Sequence, residues 1–285
     1  MLHASLSNAK ERTMTLAKPF AVSADRTQLH AVDVGHGHPI VIVHGGMQQA
    51  ALWGDVAERL TPRWRVVMLE RRLYGRSGQP QSPHSMAREA EDIVAVLDEI
   101  GEPAVLLGHS SGGIAALEAA LIHPLAGLML YEAPVPLGDT CFGEGLAIAE
   151  AAAARGNMDE ALRSFFVDII GFPELWIEHM RDGPQGQRGW AAMTTMLPAQ
   201  LEDVRAIRAL PHSIDRYAAI TAKTLLIEGE LSPRHLSDRL AFLKTAIAGA
   251  ESVTIAGHGH SANLEAPDRI ALIMDQFAGR IFCSP

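Results

Sequence analysis

The sequence predicts an α/β fold: a mostly parallel sheet with helices on both faces and a helical cap inserted at one point of the chain. Short apolar, β-branched runs alternate with longer amphipathic segments from residue 29 onward. Glycine-rich turns follow several of these runs. About ninety residues without a strand pattern separate the run that ends at Tyr131 from the run that starts at Thr224, which is far longer than an ordinary connection.

The elements follow from periodicity. Residues 85–100 form an amphipathic helix, with Ile93, Val94, Leu97 and Ile100 on one face. Further helices are predicted at 53–60 and 113–122, and in the long insertion at 145–154, 159–170, 174–180, 189–196 and 201–209. Strands are predicted at 29–34, 40–43, 65–70, 104–107, 127–131, 224–228 and 252–255.

These elements divide the chain into three parts. Residues 1–18 are polar and aperiodic and form a loose leader. Residues 19–135 and 220–285 form the α/β core, and residues 136–219 form the cap.

The composition limits the classes of molecule that the protein is expected to bind. The 285 residues are 48% apolar and 20% charged, with a net charge of −9, which argues against a nucleic-acid partner. We find no signal peptide or membrane-length apolar run, and Cys141 and Cys283 are expected to be free thiols. We therefore expect a cytoplasmic protein that acts on a small hydrophobic molecule without a cofactor, and keep a homodimer as one option for its assembly.

A candidate nucleophile lies in the turn after the strand at 104–107. The turn reads Gly108-His109-Ser110-Ser111-Gly112 and opens a helix, which is the context of a G-x-S-x-G nucleophile elbow. Small residues two positions before and after the serine let strand and helix approach closely. We therefore predict that Ser110 stands exposed above the strand end.

A candidate base follows the last strand. The loop carries His258 and His260, and a histidine at the carboxyl end of a strand is placed to serve Ser110. We favour His260 because glycine precedes it and Ser-x-Asn-x-Glu-x-Pro follows it. No acidic residue at ligand spacing accompanies the two histidines, so we predict no metal site.

Together these motifs resemble the α/β-hydrolase superfamily from about Phe20 to the C-terminus. They comprise His-Gly-Gly at 44–46, Arg-Leu-Tyr-Gly-Arg-Ser at 72–77, the elbow at 108–112, and Gly259-His260. The resemblance implies an α/β-hydrolase fold with eight strands, mostly parallel, and a cap between the sixth and seventh. It also implies an oxyanion hole formed by the backbone amides of Gly46 and Ser111, with Met47 as the alternative to Gly46.

The triad acid departs from the common pattern. Many relatives carry an aspartate after the seventh strand, where this chain has Ser232. The sixth strand instead ends at Glu132, and certain lactonases are similar in placing a glutamate there. We predict Glu132 as the acid, with Glu230 and then Asp139 as alternatives.

The cap holds a large share of the few aromatic residues, and we expect its pocket to be mainly apolar. Its predicted substrate-binding residues are Phe166, Trp176, Trp190 and Met193. The resulting hypothesis is hydrolysis of a carboxylic ester or lactone. The alternatives are C–C bond hydrolysis or acyl transfer on the same triad, and a non-catalytic small-molecule receptor.

Overall fold

The computed structural model describes residues 18–77, 83–138 and 142–283. Residues 1–17 of the predicted leader lie outside the described residues, as do Asp139 and Cys141. Within the described part, no helix is both long and apolar enough to cross a membrane.

The chain forms one eight-stranded sheet. Its strands are β1 (Ala21–Val22), β2 (Gln28–Gly35), β3 (Pro39–Val43), β4 (Arg65–Glu70), β5 (Val105–His109), β6 (Gly127–Tyr131), β7 (Lys223–Gly229) and β8 (Glu251–Ile255). They lie in the order β1-β2-β4-β3-β5-β6-β7-β8. β2 runs antiparallel to both its neighbours, and the remaining pairs are parallel. The prediction of a mostly parallel eight-stranded sheet is confirmed.

Alternate residues of each inner strand pack into opposite layers. In β3, Val41 and Val43 join one apolar cluster, whereas Ile40 and Ile42 join the other. Every residue of β3, β5 and β6 is buried, as expected for strands covered on both faces. The covering core helices are α2 (Met86–Ile100), α3 (Ser111–Ile122) and α8 (Arg234–Ala246) on one face, and α1 (Gly54–Leu60) and α10 (Pro267–Phe282) on the other.

Strand register brings the carboxyl ends of the inner strands together. His109 pairs with Tyr131, Tyr131 pairs with Ile227, and Gly229 pairs with Ile255. The loops that follow β5, β6, β7 and β8 therefore begin side by side at one edge of the sheet, where α/β sheets bind ligands.

Helices fill the connection between β6 and β7, and we call them the insert. They are α4 (Gly145–Ala154), α5 (Met158–Ser164) with a π-helical continuation at Phe165–Ile170, α6 (Glu174–Arg181) and α7 (Gly183–Arg208). A short 3-10 helix at Asp215–Ala219 leads from the insert back to β7, another at Ala50–Trp53 precedes α1, and α9 (Ala262–Glu265) precedes α10. The boundary of the cap at residues 136–219 stays a prediction.

The prediction of two helices separated near Pro198 is wrong. Helix α7 is continuous over 26 residues and contains Pro198. Proline removes one backbone hydrogen bond from a helix interior. Here Pro198 is exposed, while Leu197, Leu201 and Val204 pack into the apolar cluster of the insert. Tertiary packing of this face outweighs the local cost of the proline.

Candidate active site

The backbone is strained at Ser110, between β5 and α3. Ser110 has φ 53° and ψ −126°, in a region that residues with a side chain rarely adopt. Its N–H donates to the carbonyl of Tyr131 at 2.8 Å, which ties the turn to β6. The side chain stays partly exposed at the end of the strand. A strained strand-to-helix turn of this kind is what the predicted nucleophile elbow requires.

Two glycines allow the elbow to form. A Cβ on Gly108 would lie 2.7 Å from the Cα of Gly113, and a Cβ on Gly112 would lie 2.6 Å from the carbonyl oxygen of Val43. Real side chains do not approach so closely, so only glycine at these two positions lets α3 pack against the ends of β5 and β3.

Glu132 and His260 are in direct contact. The Nδ1 of His260 lies 2.5 Å from the Oε2 of Glu132, and the Oε1 of Glu132 accepts the N–H of Gly229 at 2.6 Å. The Glu132 side chain is fully buried. A buried carboxylate needs hydrogen-bond donors, and these two supply them. The arrangement holds the His260 ring with Nδ1 toward the carboxylate and leaves Nε2 for another partner.

The alternative residues lie in other surroundings. Glu230 is exposed and accepts the N–H of Gly257 at 2.7 Å. His258 lies 3.4 Å from Glu265 on the surface. The hydroxyl of Ser232 is buried and has no hydrogen-bond partner among the described residues. Asp139 is outside them. Glu132 is therefore the carboxylate that meets His260 in the described structure.

Two side chains hold the loop that carries His260. The Tyr131 hydroxyl bonds the carbonyl of Gly259 and accepts the N–H of Ala262 at 3.1 Å. His109 donates from Nε2 to the carbonyl of His260 at 3.0 Å, and the two rings lie 4.7 Å apart. The residue before Ser110 thus contacts the candidate base. Nothing in the sequence motif indicated this bond.

The loop after β3 is held by His44. Its Nδ1 donates to the carbonyl of Gly45 at 2.7 Å, and its Nε2 accepts the N–H of Arg71 at 3.2 Å. Burial, reinforced by the nearby Arg71 charge, lowers the pKa of His44 to about 3, so the ring is neutral and can serve as both donor and acceptor. Gly46 and Met47 follow at the edge of the sheet, and Met47 has a positive φ of 50°.

A buried ion network lies behind the candidate oxyanion residue Ser111. The guanidinium of Arg71 donates to both Glu89 oxygens at 2.9 and 3.0 Å, to Asp203 at 2.9 Å and to the Ser111 hydroxyl at 2.9 Å. The Ser111 hydroxyl in turn donates to Asp203 at 3.0 Å. Asp203 belongs to α7, so the network ties the insert to the elbow. Neither Arg71 nor Asp203 lies in a motif that predicted this role.

Opposite charges within the network shift the pKa values of its members. Burial alone would raise the pKa of Asp203, but Arg71 and a hydrogen bond from His84 at 3.0 Å lower it to about 2. Burial would lower the pKa of His84, but Asp203 and Glu89 raise it. Although His84, Glu89 and Asp203 are spaced to surround a metal ion, the Arg71 guanidinium already bonds both carboxylates. We assign the cluster as a salt-bridge network.

The predicted substrate-binding residues pack mainly against one another. Phe166 lies 6.0 Å from both Trp176 and Trp190, measured between ring centroids. Trp190 is buried and donates its indole N–H to Asp159 at 2.7 Å. Phe166, Trp190 and Met47 belong to the apolar cluster of the insert, and Met193 and Trp176 lie at its margin. Their contact with a substrate stays a prediction.

Gln200 is the polar residue of α7 that reaches Gly46. A Cβ on Gly46 would overlap the Gln200 amide oxygen. Gly46 does not have a positive φ, so glycine is required here for space rather than for backbone conformation. The sequence carried no signal for this contact, because it joins residues more than 150 positions apart in the chain.

The contact predicts that Gly46→Ala destabilises the protein. Because the Gln200 amide is the far end of a flexible side chain and can move, overpacking at this position should cost about 1 kcal/mol of unfolding free energy. Combining it with Gln200→Ala removes the obstacle and should recover most of the loss. Urea unfolding of the four proteins in this double-mutant cycle measures the coupling. An equal cost of Gly46→Ala with and without Gln200 would contradict the assignment.

Buried histidines predict the dependence of stability on pH. Burial lowers the pKa of His44 to about 3, that of His235 to about 4 and that of His109 well below its usual value. In the unfolded chain all three histidines have a pKa of about 6.5. Their contribution to stability is therefore full above pH 6.5 and is lost as the pH falls toward 4 and then 3. His84 acts in the opposite direction because its pKa is raised.

We expect unfolding to take up about two protons between pH 6 and 5. Urea unfolding at pH 7, 6 and 5 measures this proton uptake, because the free energy of unfolding then decreases as the pH is lowered. His235→Asn should reduce the uptake by about one proton. An unfolding free energy that is constant over this range would contradict the burial argument.

Known proteins share the fold and part of the sequence. The chain matches the profile described as Alpha/beta hydrolase family over residues 40–271. It is 29% identical over 246 residues to a putative carbamate hydrolase, RutD, of Caulobacter vibrioides, covering 81% of this chain and 87% of the relative. It is 25% identical over 252 residues to the pimeloyl-(acyl-carrier protein) methyl ester esterase of Aeromonas hydrophila, covering 86% and 97%.

A solved structure agrees with these matches. An alpha/beta hydrolase from Sphaerobacter thermophilus DSM 20745 superimposes with a TM-score of 0.76 at 30% identity, covering 90% of this chain and 98% of that one. The family profile spans most of the chain, including the strands that carry the candidate site. The chain therefore belongs to the alpha/beta hydrolase family, and it is a hydrolase.

Proposed function

We propose that this hydrolase cleaves a carboxylic ester or lactone of a mainly hydrophobic small molecule through an acyl-enzyme on Ser110. The observation that supports it most is the 2.5 Å contact between the Nδ1 of His260 and the buried Glu132 carboxylate, on a loop that His109 ties to the elbow. A serine nucleophile needs a base, and the base needs a carboxylate that orients it and stabilises its charged form.

The first half-reaction follows from these positions. The Ser110 Oγ attacks the scissile carbonyl while the Nε2 of His260 takes its proton. Glu132 accepts the Nδ1–H of His260 and stabilises the imidazolium. When the tetrahedral intermediate collapses, His260 returns the proton to the leaving alkoxide, which stays attached to the acyl group if the substrate is a lactone. Water then attacks the acyl-enzyme by the same steps and releases the acid.

The backbone amides of Gly46 and Ser111 supply the oxyanion hole in this proposal. Ser111 begins α3, whose first amides have no partner within the helix and favour a developing negative charge. The Arg71 network fixes the Ser111 side chain, and His44 fixes the loop that leads to Gly46. No hydrogen bond joins the Ser110 hydroxyl to His260 among the described residues, and such bonds commonly tighten only when substrate binds.

The relatives support carbonyl chemistry of this type. One is named a methyl ester esterase and another a putative carbamate hydrolase. The receptor alternative depended on the serine at position 232, where an acid is common. The contact of Glu132 with His260 removes that reason for it.

Ser110→Ala should abolish turnover, with a loss on the order of 10⁶ in kcat, because it removes the attacking oxygen. Hydrolysis of a panel of aryl esters and lactones measures the loss. Mass spectrometry of a fluorophosphonate adduct should place the label on Ser110 in the native protein. Ser237→Ala, which alters a serine of α8, is the matched control and should react normally. Activity retained in Ser110→Ala, with the label on Ser111, would refute the assignment.

Glu132→Gln should lower kcat by about 10⁴, because a neutral amide cannot stabilise the imidazolium of His260. The variant keeps the volume of the side chain, and thermal unfolding checks that the fold is retained. Ser232→Ala and Glu230→Gln should each change kcat little. A large loss in Glu230→Gln together with a small one in Glu132→Gln would reverse the assignment of the acid.

A further inference from the structure

Gln200 is a polar side chain of the insert placed beside the proposed reaction centre. Its helix, α7, passes over the loop after β3, and the amide oxygen of Gln200 touches Gly46. The residue is only 5% exposed. The side chain therefore lies between the insert and the loop that provides one of the proposed oxyanion donors, and its amide can still be reached by a ligand.

This amide has no hydrogen-bond partner within the described residues, and its polar atoms are not among those wholly closed to solvent. Most polar groups on side chains as buried as this one are paired within the protein. Asp203, three residues later on the same face of α7, shows the usual situation, since it bonds Arg71, Ser111, Tyr74 and His84. The unused hydrogen-bonding capacity of Gln200 thus points to a group that arrives with a ligand.

The helix backbone that carries Gln200 is anchored before a ligand binds. Asp203 is held on four sides, and residues three apart on a helix share a face and move together. The backbone of Gln200 is accordingly anchored one helical turn from a rigid point. Its amide is therefore kept near Gly46, where it can distinguish substrates by the group placed beside the scissile carbonyl.

We propose that Gln200 determines specificity: its amide hydrogen-bonds a neutral polar group, such as a hydroxyl, within two atoms of the scissile carbonyl. The inference rests on the proposed function. The distance follows from the contact with Gly46, whose N–H would hold the carbonyl oxygen. The group is neutral because Gln200 carries no charge and the nearby charges of Arg71, Glu89 and Asp203 are already paired.

A hydroxyl suits this site best because it both donates and accepts, as the amide does. The substrate class is therefore an ester or lactone with a hydroxyl on the α or β carbon of its acyl part, in an otherwise apolar molecule. A site built to bond such a group rejects the analogue that lacks it, because the amide is then left unpaired.

The test compares methyl butyrate with methyl 2-hydroxybutyrate and methyl 3-hydroxybutyrate, with acid release followed by pH-stat. The readout is the ratio of kcat/KM for each hydroxy ester to that for methyl butyrate. We expect the native protein to favour at least one hydroxy ester by roughly tenfold or more. Gln200→Leu should reduce that ratio by roughly tenfold or more. Gln187→Leu, on an exposed part of the same helix, is the matched control and should leave the ratio unchanged.

Gln200→Met provides a second apolar variant if Gln200→Leu fails to fold, and thermal unfolding checks both. A native protein without preference overturns the inference. So does an equal loss on all three esters in the Gln200 variants, which would make Gln200 an oxyanion donor or a packing residue. Dissociation constants of the same esters for Ser110→Ala measure the preference for each hydroxy ester over methyl butyrate without turnover. Absence of turnover and of fluorophosphonate labelling, with the binding preference intact, would refute the proposed function and not the role of Gln200.

Discussion

The guanidinium of Arg71 is fully buried. A positive charge in the protein interior is tolerated only when carboxylates and other hydrogen-bond acceptors surround it. Its partners come from three separate parts of the fold: Glu89 from α2, Ser111 from the start of α3, and Asp203 from α7 of the insert. Removing one carboxylate would leave an uncompensated charge in the interior, which is strongly destabilising. The insert is therefore fixed to the core by electrostatics at the elbow, in addition to the apolar contacts of Met47.

Backbone strain is concentrated around this anchored region. Six residues other than glycine have a positive φ in the described structure, and three of them are Met47, Ser110 and Glu132. Each follows the end of a buried strand, where ladder hydrogen bonds and packing hold the backbone on one side. Conformations that cost of order 1–3 kcal/mol persist only where the surroundings over-determine them. The rigid sheet thus sets the direction of the Ser110 and Glu132 side chains and of the backbone at Met47, which the proposed reaction uses.

Local patterns predicted some of these residues and not others. The position of Ser110 in the turn could be predicted because the elbow requires small neighbours, and Gly108 and Gly112 are visible in the sequence two residues before and after it. The contacts of Gln200 and Asp203 could not be predicted, because they join residues far apart in the chain. The continuous course of α7 through Pro198 was missed for the same reason, since the burial that maintains it is tertiary.

Glu132 shows how a sheet accommodates a carboxylate one strand away from the usual place. β7 lies between β6 and β8, so an acid at the end of β6 must cross the end of β7 to reach the loop after β8. The positive φ of Glu132 turns the chain at that point. The N–H of Gly229, at the end of β7, donates a hydrogen bond to one carboxylate oxygen of Glu132. The other oxygen then meets the Nδ1 of His260. Aspartate would be one methylene shorter, which explains why the residue type and the position change together. What the proposed chemistry requires is a carboxylate at the Nδ1 of the base, and either strand end can provide it.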